Sequence, residues 1–87
     1  MRVVLVIDGD SAVRRRIADI LMGAGYGVCE TFTSELVPAV PRLDAVVSGG
    51  VVGSDRFGAP VVAIPVPLDV DDLLTRVERA VSAQRAA

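Results

Sequence analysis

Val3 to Ile7 is a run of five aliphatic residues, four of them β-branched, cut off at once by Asp8-Gly9-Asp10-Ser11. A run this short and apolar at every position cannot be an amphipathic helix or a half-solvated strand. It predicts a strand buried on both faces. A strand of that kind is stable only in a sheet whose faces are covered. Covered sheets of this type are parallel and alternate with helices.

The rest of the chain supplies that alternation. Val13, Ile17, Ile20, Leu21 and Ala24 recur at helical spacing, with Asp10 placed to cap the helix they form. Gly23 and Gly25 end it, and Gly25 is the expected left-handed cap. Gly27 to Thr31 reads as a second strand. A helix of about two turns is expected over Ser34 to Val40, limited by Pro38 and Pro41. Leu43 to Ser48 is a third strand, and Gly49 to Pro60, with four glycines, is mostly loop. Val61 to Val66 is a fourth strand between Pro60 and Pro67. Asp69 caps a last helix whose first turn carries Asp71 and Asp72, where negative charge suits the helix dipole. Its apolar face is Val70, Leu73, Leu74, Val77, Ala80 and Val81.

The expected fold is a single α/β domain over residues 1–87. It has three layers, α/β/α, around a small parallel sheet of about four strands in the order 2-1-3-4. In such sheets functional groups collect beyond the carboxyl ends of the strands. Here those ends carry Asp8-Gly9-Asp10, then Ser48-Gly49-Gly50, then Pro65 to Pro67.

Composition removes several classes of function. Net charge is −2, and the only aromatics are Tyr26, Phe32 and Phe57, so neither a basic surface nor a set of stacking platforms for nucleic acid is present. All nine basic residues are Arg, and there is no His, which excludes Lys nucleophiles, His bases and His metal ligands. Cys29 is the only cysteine and reads as a structural thiol within the second strand, with no intrachain disulfide. The apolar start is too short for a signal or membrane segment, and a cytoplasmic protein is expected.

Four stretches in order resemble the receiver domain of bacterial response regulators. Val4 to Arg15 is similar to that family's first strand, acidic turn and first helix, and Ile20 to Val28 to the helix end and second strand. Leu43 to Ser48 is similar to its third strand, and Val66-Pro67-Leu68-Asp69 with Val70 to Leu74 to its Lys-Pro turn and last helix. The resemblance covers most of the chain apart from Gly50 to Ala59, and implies a CheY-like fold in a two-component signalling pathway. It also implies where the chain departs. Asp8 matches the first acidic position, but the second falls on Gly9, the phosphoacceptor on Gly49 and the lysine on Val66, and the hydroxyl falls on Pro65 or is lost with the missing segment. There is no room for the usual third helix, nor for a further βα unit before the last one. Phosphoryl transfer to aspartate needs a carboxylate nucleophile, Mg²⁺ and an offsetting cation. The expected protein is therefore a shortened, aspartate-less pseudo-receiver. It would be a non-enzymatic, phosphorylation-independent interaction module.

Other readings attach to the same residues. Asp8-x-Asp10 after an apolar strand is similar to the first motif of haloacid-dehalogenase-type phosphatases, with Asp8 as nucleophile and Asp10 as general acid. Arg56 would then replace the Lys partner. A small-ligand sensor using Asp8, Gly49 and Pro65 is another alternative. The adopted reading makes Asp10 a helix cap and Asp8 a remnant of an acidic pocket, the pair holding at most weak Mg²⁺. The glycine-rich Gly49 to Ser54 lacks the Gly-Lys-Ser/Thr of a phosphate loop.

Partners are expected to be proteins. Arg14 and Arg15, on the first helix, are candidates for contact with a histidine kinase or another regulator. The missing unit would leave the fourth-strand edge uncovered, so a homodimer is expected, with Val51, Val52, Phe57 and Val61 near its interface.

Overall fold

The computed structural model describes residues 2–33, 42–50 and 58–86. Its elements are β1 (Val3–Ile7), α1 (Ser11–Gly23), β2 (Gly27–Thr31), β3 (Ala45–Ser48), β4 (Val61–Ala63) and α2 (Val70–Ala86). All strand pairs are parallel and the sheet order is β2-β1-β3-β4, as expected.

The all-apolar runs sit where their composition requires. Val4, Leu5 and Val6 of β1, and Ala45, Val46 and Val47 of β3, are fully buried. Alternate residues feed two cores. Val4, Val6, Ala45, Val47 and Val62 meet Ile17 and Leu21 of α1 and Leu73, Val77 and Val81 of α2 on one face. Leu5, Ile7 and Val46 meet Leu43 and Ala59 on the other, with Val3, Cys29 and Val61 packed around them. Both described helices thus lie on the same side of the sheet, α1 against β1 and β2, and α2 against β3 and β4. The helix expected over Ser34 to Val40 lies outside the described residues, as do Val51, Val52, Arg56 and Phe57.

Local chemistry sets the helix ends. Asp10 Oδ1 accepts from the backbone N–H groups of Ala12 (2.9 Å) and Val13 (3.3 Å), which satisfies two otherwise unpaired donors at the start of α1. At its other end Gly25 has φ +96°. Tyr26 N donates to Leu21 O and Gly25 N to Met22 O, the paired bonds of a Schellman motif. Asp69 Oδ1 accepts from Asp72 N at 3.0 Å and caps α2.

Boundaries shift where the ladder or burial ends. β4 ends at Ala63, not Val66: Ile64 N still bonds Ser48 O at 3.1 Å, but Gly50 N, the next donor on the β3 side, turns to Ser48 Oγ instead. Within α1, Ala18 is fully buried, whereas Ala24 is exposed because the chain is already leaving the helix there. Val70, at the start of α2, is 39% exposed. The Val66–Pro67 peptide is cis.

At the amino-terminal side of the sheet, β1 and β3 are clasped by Asp44. Its backbone N–H donates to Val3 O, and its Oδ2 accepts from Val3 N, both at 2.8 Å. The residue is 2% exposed, and Arg42 Nε stands 3.9 Å from Oδ1.

Candidate functional site

The order 2-1-3-4 reverses between β1 and β3, so the crevice beyond their carboxyl ends is where this fold places ligands. Ile7 is opposite Ser48 in the register. The next residues, Asp8 and Gly49, therefore emerge side by side, and Gly49 N donates to Ile7 O at 3.2 Å.

Asp8 is turned inward on its own loop. Its Oδ1 accepts from Asp10 N at 2.8 Å, its backbone N–H donates to Thr31 O, and its carbonyl accepts from Arg14 Nη1 at 2.9 Å. Its other oxygen, Oδ2, fills the space where a side chain at position 49 would begin. A Cβ built on Gly49 would lie 2.5 Å from Asp8 Oδ2, 3.3 Å from its Cγ and 3.6 Å from Ile64 Cδ1. Among the described residues only Gly25 and Gly58 have positive φ. The space beside Gly49 is thus filled by the end of the neighbouring carboxylate side chain, and backbone conformation does not call for glycine there. Gly9 is different: a Cβ there would meet nothing within 4 Å.

A substitution at 49 tests this contact. Gly49→Ala displaces the Asp8 carboxylate and strains its bond to Asp10 N, and should cost about 0.5–1.5 kcal/mol, the net worth of one hydrogen bond. In an Asp8→Ala background the same change should cost far less, so that the two positions are coupled. Urea unfolding of the four proteins measures it. Equal costs in both backgrounds would mean that Asp8 does not occupy this space.

The turn beside it is closed by Ser48. Its Oγ donates to Gly50 O at 3.1 Å and accepts from Gly50 N at 3.2 Å, and the residue is 1% exposed. Beyond β4, Pro65 is half-buried, and Val66 is 93% exposed and offers no charge. The arginines predicted to face a partner are engaged within the domain. Arg14, with a side chain 20% exposed, holds the Asp8 carbonyl and reaches Glu30 Oε1 at 3.4 Å. Arg15 is more open, at 62%, but pairs with Glu30 Oε2 at 2.8 Å and approaches Asp19 at 4.0 Å.

The site therefore brings together Asp8, Gly49, Ser48 and Ile64. It places Asp10 apart as a cap and leaves Gly9 exposed. Asp8 Oδ1 and Asp10 Oδ1 are both spent on backbone amides. Among the described residues no three acidic or cysteine side chains converge on one point. A shallow, open depression lies elsewhere, along the exposed Thr75, Glu78, Arg79 and Ser82 of α2. Among the described residues no helix is long and apolar enough to cross a membrane.

Sequence reasoning missed Glu30, the acceptor for both arginines, and Asp44. Each was visible only as a lone acid inside or at the head of an apolar stretch. Comparison with known proteins finds no matching family model, no similar curated protein and no similar solved structure.

Proposed function

We propose that this domain is a non-enzymatic, phosphorylation-independent interaction module built on a receiver-like plan, acting through protein partners in a bacterial signalling pathway. The observation that carries the reading is the Asp8–Gly49 contact. The position that would hold a phosphoacceptor has no side chain, and the neighbouring carboxylate stands in its place. The turn that would supply a compensating cation presents the exposed Val66. With the nucleophile and the charge partner both absent from those positions, covalent phosphorylation has no chemical route there. What remains is a rigid carboxyl-end surface, with Asp8 and Ser48 each bonded to its own loop. Such a surface suits recognition by shape, with a histidine kinase or another regulator as the proposed kind of partner.

Amide-resolved NMR tests this. Addition of Mg²⁺, then of beryllofluoride with Mg²⁺, should leave the amides of residues 8–11 and 48–50 unshifted. Shifts with Mg²⁺ alone would favour a cation sensor. Further shifts with beryllofluoride, abolished in Asp8→Asn, would mean that a carboxylate accepts a phosphoryl mimic and would overturn the proposal in favour of aspartate-dependent phosphoryl chemistry.

A further inference from the structure

The sheet has two edges, and they differ in what they offer. β4 presents only three residues between Pro60 and Pro65, a short and proline-bounded edge of the sort that resists pairing. β2 presents five, Gly27–Thr31, without a proline. Among the described residues nothing pairs with its outer side. Gly27 N donates to Arg2 O, and Thr31 O accepts from Asp8 N, so the odd-numbered residues of β2 turn their backbone groups to β1. Parallel pairing alternates, so Val28 and Glu30 direct theirs to the open edge. The charge that would repel a second strand, Glu30, is already paired with Arg14 and Arg15. Just past the strand, Phe32 is 60% exposed.

We propose that β2 pairs with β2 of a second copy of this chain, antiparallel, about a two-fold axis at Cys29, to form one continuous sheet. This register matches the edge to itself. Val28 lies opposite the partner's Glu30 and exchanges both backbone hydrogen bonds with it, and Glu30 does so with the partner's Val28. Phe32, just past the strand, then comes to the end of the seam, where the partner's chain enters its own β2, and loses part of its exposure there. Cys29, whose own backbone groups are spent on β1, takes the non-hydrogen-bonded central position. There the two Cα atoms are about 4.5 Å apart, inside the window of about 4.4–6.8 Å that a disulfide needs. Both thiols lie on the same face of the joined sheet. The proposal does not rest on the receiver-like reading, and either can fail alone.

The test is the solution mass together with a site-specific cross-link. Light scattering at micromolar concentration should give twice the chain mass. Mild oxidation with diamide, which takes two electrons and two protons from a pair of thiols, should give a covalent dimer on a non-reducing gel, lost in Cys29→Ser. Val28→Pro removes an outward N–H without touching the β1 ladder, a position where an edge strand tolerates proline. It should give a folded monomer by circular dichroism and at least a tenfold weaker dimer. Should that variant fail to fold, Phe32→Ser at an exposed site should also weaken the dimer. A monomer across the concentration range overturns the proposal. So does a dimer that resists cross-linking at Cys29, or one that is indifferent to the β2 substitution that folds.

Discussion

Leu5→Ala should lower the unfolding free energy by about 2–5 kcal/mol, the range for removing a fully buried leucine and leaving a cavity. Leu5 is 0% exposed, in the central strand β1, and packs with Ile7, Leu43, Val46 and Ala59. That core lies on the sheet face opposite α1 and α2. The substitution therefore asks whether the second face is a closed core or an open apolar surface. A closed core gives the full loss. An open face already lets water reach the leucine, and the loss would fall below about 1 kcal/mol, as at an exposed site. Urea midpoints read it, with Ile17→Ala on the helix-covered face as the reference for a site known to be enclosed. Against a total stability of about 5–15 kcal/mol for a domain of ordinary size, a loss at the top of the range would unfold a domain at the low end of that scale and leave about 10 kcal/mol at its high end.

Asp44→Ala should cost about 2–3 kcal/mol, from a lost charge-assisted hydrogen bond and a buried N–H left without its acceptor. The carboxylate binds Val3 N across 41 residues of sequence and sits almost wholly out of water. Asp44→Asn keeps an oxygen of the same reach and should recover most of the loss. Comparable destabilisation by both variants would mean that the charge, and not the hydrogen bond to β1, is what the site requires. Hydrogen exchange at Val3 gives a local reading. Its amide should exchange faster in Asp44→Ala and remain protected in Asp44→Asn.

How far the fold is legible in the sequence depends on the range of the interaction involved. β1, at Val3–Ile7, and β2, at Gly27–Thr31, are read correctly to the residue because an apolar run and its flanking breakers are local signals. The caps at Asp10 and Asp69, and the reversal at Gly25, are equally local: each is a hydrogen bond or a dihedral within a few residues. β4 is shorter than its apolar run because Gly50 N turns to Ser48 Oγ and leaves the ladder, which the residues of β4 themselves do not mark. The site divides in the same way. Asp8, Gly49 and Val66 stand out in the sequence through the resemblance to a receiver domain. That the Asp8 carboxylate fills the space beside Gly49 follows only once β1 and β3 are neighbours.

Hydrophobic periodicity and capping chemistry are written within one or two turns of chain, so the type of each described strand and helix, and the parallel sheet, are legible in the sequence. Tertiary structure decided the rest. It set the Asp8 carboxylate into the space beside Gly49, joined Asp44 to Val3, and drew Arg14 and Arg15 onto Glu30. It also placed α1 and α2 on one face of the sheet and left β2 as its longer edge. The Asp8–Gly49 and Asp44–Val3 contacts depend on the register of β1 with β3, and the Arg14 and Arg15 pairs on the packing of α1 against β2, and no single element encodes either.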